Sequence, residues 1–149
     1  KERWDDDTIR LQPDWLSILI GINDLHRHLF SPDPAIKVSP ERFRENYDWL
    51  LGRVTQETPA RLLLLEPFYI SLSSRDTNRK LVLDLIPEYI QVTRDMAAKY
   101  DALCVPLHDI FQHHLTFRQG DAFCPEPVHP GHGGHTLIAL EMLKALGAV

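Results

Sequence analysis

Cysteine is scarce: Cys104 and Cys124 are the only two. Two thiols are too few for a disulfide framework, and their spacing matches no zinc motif. They are expected as buried free thiols. There is no cluster of Lys and Arg, and the net charge is −5. Nothing electrostatic therefore points to nucleic acid or to an anionic membrane. Long apolar runs are missing too. The longest, Trp15 to Ile22 and Leu62 to Leu65, are far too short to span a bilayer. An initiator Met is absent. The chain opens on Lys1-Glu2-Arg3-Trp4-Asp5-Asp6-Asp7 and reads as if entered from the middle of a longer protein. The lack of a leader segment therefore says nothing about where the protein works, and localisation stays unknown. No internal repeat, low-complexity tract or domain linker interrupts the chain.

What is there is ordinary for a globular protein: 44% hydrophobic and 25% charged residues in a length of 149. That length fits one domain, residues 1–149, with a real core. Trp15 to Ile20 is a dense apolar run between Pro13 and Gly21, too short for a core helix. A strand buried on both faces fits it. Ala60 to Glu66, ended by Pro67, is a second such strand, and Ala102 to Pro106 a third. Between them lie helical patterns. Asp5 to Leu11 reads as the last turns of a helix stopped by Pro13. Ser39-Pro40-Glu41 starts a helix, with Ser39 as N-cap and Pro40 at the first helical position. Phe43, Tyr47, Leu50, Leu51 and Val54 give that helix one apolar face. A longer helix runs from about Asp76 to Tyr100, with Pro87 placed to kink or divide it. His108 to Phe117 and Thr136 to Leu146 are the last two. His26 to Val38, Phe68 to Ser74 and Asp121 to Gly134 read as loops. Strands alternating with helices predict an α/β sandwich, three-layered, on a parallel sheet.

Two stretches carry chemistry. Gly21-Ile22-Asn23-Asp24 follows the first strand, so Asn23 stands at the carboxyl edge of the sheet, where ligands sit in open parallel folds. Asn and Asp are also common turn and cap residues. Glu126-Pro127-Val128-His129-Pro130-Gly131-His132-Gly133-Gly134-His135 follows the third strand and reaches the same edge. A carboxylate three residues before a histidine can accept from one ring nitrogen and leave the other free as a base. Alone, each stretch is more readily a loop or a cap.

Together and in this order they resemble the SGNH hydrolases, the GDSL-type esterases and lipases. Gly21-Ile22-Asn23-Asp24 looks like the family's Gly-x-Asn-Asp block. Val128-His129-Pro130 with Gly134-His135 looks like its His-Pro block, and Leu11-Gln12-Pro13-Asp14 like the run that often precedes the strand. The resemblance implies a flavodoxin-like sandwich and hydrolysis of acyl esters, with no cofactor. The implied partner is a small-molecule ester: an acyl ester, an acetylated sugar or a lysophospholipid. By this resemblance His129 is the general base, Asn23 donates to the oxyanion, and Glu126 takes the place of the family aspartate that orients the histidine. Asp121 is a substitute carboxylate. Gly21 and Asp24 support the loop.

The family's nucleophile lies in a Gly-Asp-Ser block, and none is present. Gly120-Asp121-Ala122 is the nearest match and has Ala in place of Ser. Ser71, Ser73 and Ser74 lack the Gly-Asp context. The resemblance therefore implies that the first two strands and the serine precede residue 1, in a protein roughly 60 residues longer and still of single-domain size. The chain alone would be inactive. Its Trp15–Ile20 strand would be an open edge able to pair with another chain.

Two other readings compete. His129, His132 and His135, with His26, His28, His113 and His114 elsewhere, could bind a metal, although no helix carries the His-Glu-x-x-His pattern. A non-catalytic interaction module on the same fold would explain the absent serine.

Overall fold

A computed structural model describes residues 3–72 and 76–149. Three strands form one parallel sheet in the order β1 (Trp15–Leu19), β2 (Arg61–Leu65), β3 (Leu103–Val105). The register sets Leu16 beside Leu62, Ile18 beside Leu64, and Leu64 beside Cys104. Each strand is a short apolar run, as expected of a sheet covered on both faces. The side chains alternate between the faces. Ile18, Leu62 and Leu64 point to one side, where they meet Leu25 of α2 (Ile22–Phe30), Phe43, Tyr47, Leu51 and Val54 of α3 (Pro40–Glu57), and Val82, Ile86 and Tyr89 of α4 (Thr77–Lys99). Leu63, Leu65 and Val105 point to the other, where Leu107 and Phe111 of α5 (Leu107–His114) and Leu137 and Ile138 of α6 (His132–Ala145) cover them. The three-layer α/β/α arrangement predicted from the sequence is the one observed.

The second face is covered unevenly. α6 packs on β3 and leaves the β1 side bare. Trp15, Ser17 and Leu19 are exposed, and β1 pairs on one side only, with β2. Among the described residues β1 is thus an open edge with apolar side chains.

The helices follow their caps. Ser39 accepts a hydrogen bond from the Arg42 N–H at 3.3 Å, and Pro40 opens α3, as the sequence predicts. α4 runs unbroken through Pro87. The segment before β1 is a short helix (α1, Trp4–Asp7) and a 3-10 turn (Ile9–Leu11). Two expectations need correction. Residues 26–38 are not all loop, because α2 extends to Phe30 before Pro32 can stop it. α6 starts at His132 and not at Thr136, so Gly133 and Gly134 are helical. Ser73 and Ser74 lie outside the described residues.

The glycines of α6 have a packing reason. A Cβ on Gly133 would lie 2.1 Å from the Ala122 carbonyl oxygen, and one on Gly134 2.5 Å from that of Phe123. The helix start is pressed onto the 3-10 turn Gly120–Ala122, and the Gly134 N–H donates to the Phe123 carbonyl at 3.2 Å. Gly133 is exposed, so an ordinary helix rule makes Gly133→Ala stabilising by about 1 kcal/mol. The clash reverses the sign. Thermal unfolding should show a loss of about 2 kcal/mol or more. A stabilised variant would mean that the helix start is not held against this turn.

Cys104 and Cys124 are both free, and burial raises each thiol to about 11, so both stay protonated at neutral pH. Glu66 ends the second strand's apolar run yet is 1% exposed. Arg94 of α4 donates to it at 2.5 Å and to Asp109 of α5 at 2.8 Å, so one guanidinium ties α4 to α5 and to the end of β2. The other carboxylate oxygen of Glu66 is buried without a partner. Burial raises the Glu66 carboxyl above its ordinary range, and Arg94 opposes the rise. Arg94→Ala would strand the carboxylate and should cost about 3 kcal/mol at neutral pH in urea unfolding. A carboxyl whose folded-state pKa exceeds its unfolded one loses stability as pH rises through that interval. The penalty should therefore shrink on acidification, as Glu66 takes up its proton. A penalty independent of pH would rule out the buried carboxylate as its source.

Candidate active site

Three segments meet at the carboxyl edge of the sheet: the start of α2 after β1, residues 66–72 after β2, and the loop between α5 and α6. The last is braced by its own backbone. The Gly131 N–H donates to the Phe123 carbonyl at 2.8 Å, and the Ile70 N–H donates to the Pro127 carbonyl at 2.8 Å. The second bond fastens the segment after β2 to the loop that carries Glu126 and His129.

Glu126 meets that loop three times. Its carboxylate accepts from the Val128 N–H at 3.3 Å, from the His129 N–H at 3.0 Å, and from His129 Nδ1 through a short side-chain contact. The extra methylene of glutamate folds back over its own turn. The carboxylate thereby fixes the imidazole tautomer with the proton on Nδ1 and leaves Nε2 as the basic nitrogen. The His129 side chain is 81% exposed, so this nitrogen is open to a reactant. Asp121 sits on the 3-10 turn, is exposed, and is not the carboxylate that meets His129.

Asn23 is the second residue of α2, so it belongs to a helix start and not to a loop. Gly21 makes this entry possible. Its φ of +116° is one that side chains rarely allow, and a Cβ there would lie 3.2 Å from both Phe43 and Pro67. Asn23 is exposed, and its amide makes no hydrogen bond among the described residues. Its donors are therefore unspent and stand at the positive end of the α2 dipole. Asp24 is half-buried. Burial raises its carboxyl, while Arg27 and a backbone hydrogen bond oppose the rise.

The structure brings two further rings to this edge. His26 stands three residues beyond Asn23, one helical turn along α2. Its ring meets Tyr69 edge-on at 6.2 Å and Phe30 at 5.8 Å. Burial lowers its pKa. Glu126 opposes the shift and His129 adds to it, which places His26 within electrostatic reach of the pair. Tyr69 also senses Glu126. The sequence did carry a signal for His26, since Leu25 and Leu29 share a helical face with Ile22, but the prolines beyond Phe30 obscured it.

Beside these residues opens a cleft of about 260 Å³ lined mainly by apolar side chains, among them Leu19, Ile22, Phe68, Val128 and Ile138, with His135 at its wall. It lies over the bare side of β1. His132 and His135 are on α6 and do not gather with His129. Among the described residues no group of three or more His, Cys, Asp or Glu is placed to hold a metal ion. No helix there is long and apolar enough to cross a membrane.

Residues 1–137 match the GDSL-like lipase/acylhydrolase family. An acetylxylan esterase of Geobacillus stearothermophilus is 30% identical over 150 residues, covering 99% of this chain and 65% of the relative. The crystal structure of an acetylxylan esterase from that organism superposes with a TM-score of 0.84 at 28% identity, over 98% of this chain and 65% of the other. A structure from Parabacteroides merdae described as a GDSL-like lipase gives a TM-score of 0.89 at 24% identity, over 99% and 66% respectively, and speaks for the fold alone. The chain thus spans 65% of the length of the curated relative it matches.

Proposed function

This chain belongs to the GDSL-like lipase/acylhydrolase family, the SGNH hydrolases, and we propose that it forms the base-and-oxyanion part of a serine esterase acting on carboxylic esters. The observation that carries this reading is the Glu126–His129 pair, held by the loop's own backbone at the edge where α2 presents Asn23. His129 Nε2 takes the proton of a serine hydroxyl as its oxygen attacks the ester carbonyl carbon. The carbonyl oxygen becomes an oxyanion and accepts from the Asn23 amide. Collapse of the tetrahedral intermediate breaks the bond to the alcohol, which leaves with the proton held by His129. Water then enters by the same route and releases the acid. Glu126 keeps the imidazole oriented and offsets its positive charge. Gly21 and Asp24 hold the helix start that presents Asn23.

The serine belongs to a Gly-Asp-Ser segment outside these residues. The open edge of β1 and the apolar cleft above it suit a strand and its following turn, which would bring the nucleophile beside His129. Lacking that segment, the chain is inactive, and its β1 edge is free to pair with another chain. The relatives' acetylxylan substrates make a small acyl group the first to try. A complete domain containing these residues should hydrolyse p-nitrophenyl acetate, and its His129→Ala variant should not. Hydrolysis that survives in the variant overturns the proposal.

A further inference from the structure

His26 is a half-buried histidine with uncommitted chemistry. Its ring packs beside Phe30 of its own helix and meets the buried Tyr69 of the segment after β2 edge-on. Yet neither ring nitrogen hydrogen-bonds another described residue, and neither is among the fully buried unpartnered atoms. Neither is therefore sealed from solvent. His28, two residues on, differs: its Nδ1 is buried without a partner and reaches nothing outside. His26 also lies one helical turn from Asn23 and within electrostatic reach of Glu126 and His129. Through Tyr69 and the neighbouring Ile70–Pro127 hydrogen bond, the ring stands between Asn23 on its own helix and the loop that carries Glu126 and His129.

From this placement, and resting on the esterase reading above, we infer that His26 is a specificity-determining residue that hydrogen-bonds a hydroxyl of the ester's alcohol portion. A neutral imidazole offers one donor and one acceptor, and a hydroxyl can answer either. A methylene chain in the same place would strip water from both nitrogens and return nothing, which is how a polar site rejects an apolar analogue. His26 therefore favours esters of polyhydroxylated alcohols and disfavours purely aliphatic ones. His26 takes no part in proton transfer at the reacting atoms.

The test compares two acetates of similar size, glycerol monoacetate and propyl acetate, on a complete domain containing this chain. His26→Phe keeps the ring and removes both nitrogens. It should lower kcat/KM for glycerol monoacetate about tenfold, the worth of one good hydrogen bond, and raise that for propyl acetate, whose chain no longer strips water from the ring nitrogens. His26→Gln, which can still donate and accept, should recover most of the loss. An equal loss on both esters would make His26 a structural residue and overturn the inference. So would the absence of any loss on glycerol monoacetate. In both those cases hydrolysis that still depends on His129 leaves the esterase reading standing. A parent domain that hydrolyses neither acetate overturns the esterase reading and this inference with it.

Discussion

His129→Ala is expected to lower kcat in a complete domain by about 10⁴-fold with KM nearly unchanged. The size follows from what the imidazole does. A serine hydroxyl at neutral pH is a poor nucleophile, and without a base its proton has nowhere to go during attack. The same nitrogen later protonates the leaving alcohol, so one deletion damages two half-steps. Binding is spared because the side chain is largely exposed and holds no other part of the site together. Glu126→Gln should cost less, about 10²-fold, below the loss seen where the orienting carboxylate is fully buried. A glutamine amide can turn its N–H toward Nδ1 and favour the wrong tautomer, but water reaches this half-exposed pair and can restore part of the population. The ordering is the sharp part of the expectation. If Glu126→Gln costs as much as His129→Ala, the carboxylate is doing more than orienting. If neither changes kcat, the pair is a loop brace and the chemistry lies elsewhere.

The sheet was legible because its strands are short apolar runs bounded by Pro13, Gly21, Pro59 and Pro67, and few other structures bury Leu62 to Leu65 so completely. The start of α3 was legible because Ser39 and Pro40 act locally. α2 was not, although Ile22, Leu25 and Leu29 mark one face, since Pro32 and Pro34 lent a loop character to residues that precede them. The start of α6 was hidden for a different reason. Gly133-Gly134 reads as a loop on propensity, and only contact with Ala122 and Phe123, a dozen residues earlier, explains why glycine is required inside that helix. Tertiary contact overrode local preference there. At the site, the residue types and spacing of Glu126 and His129 were readable, but the fold-back of the glutamate was not. It depends on the Val128 and His129 backbone amides, which the sequence does not orient. His26 depends on Tyr69, brought near it only by the adjacency of β1 and β2.

Asn23→Ala is expected to lower kcat by about 10²- to 10³-fold, roughly 3–4 kcal/mol of transition-state stabilisation. The argument begins with the amide's freedom. Its two donors make no hydrogen bond among the described residues, so removing them breaks nothing in the fold, and unfolding of the variant should match the parent. The loss then belongs to the reaction. A ground-state carbonyl gains little from the amide, whereas an oxyanion gains a charge-assisted bond, reinforced by the positive end of α2 on which Asn23 stands. An interaction made mainly in the transition state lowers kcat and kcat/KM together and spares KM. Asn23→Asp tests the sign of the charge. It preserves shape but sets a carboxylate against the developing oxyanion, so it should fall below Asn23→Ala. Against the esterase reading would count an Asn23→Asp variant as active as the parent, or an Asn23→Ala variant whose defect lies wholly in KM. Either result would move Asn23 from the oxyanion to the binding of a neutral group, and the start of α2 would then contribute position without catalysis.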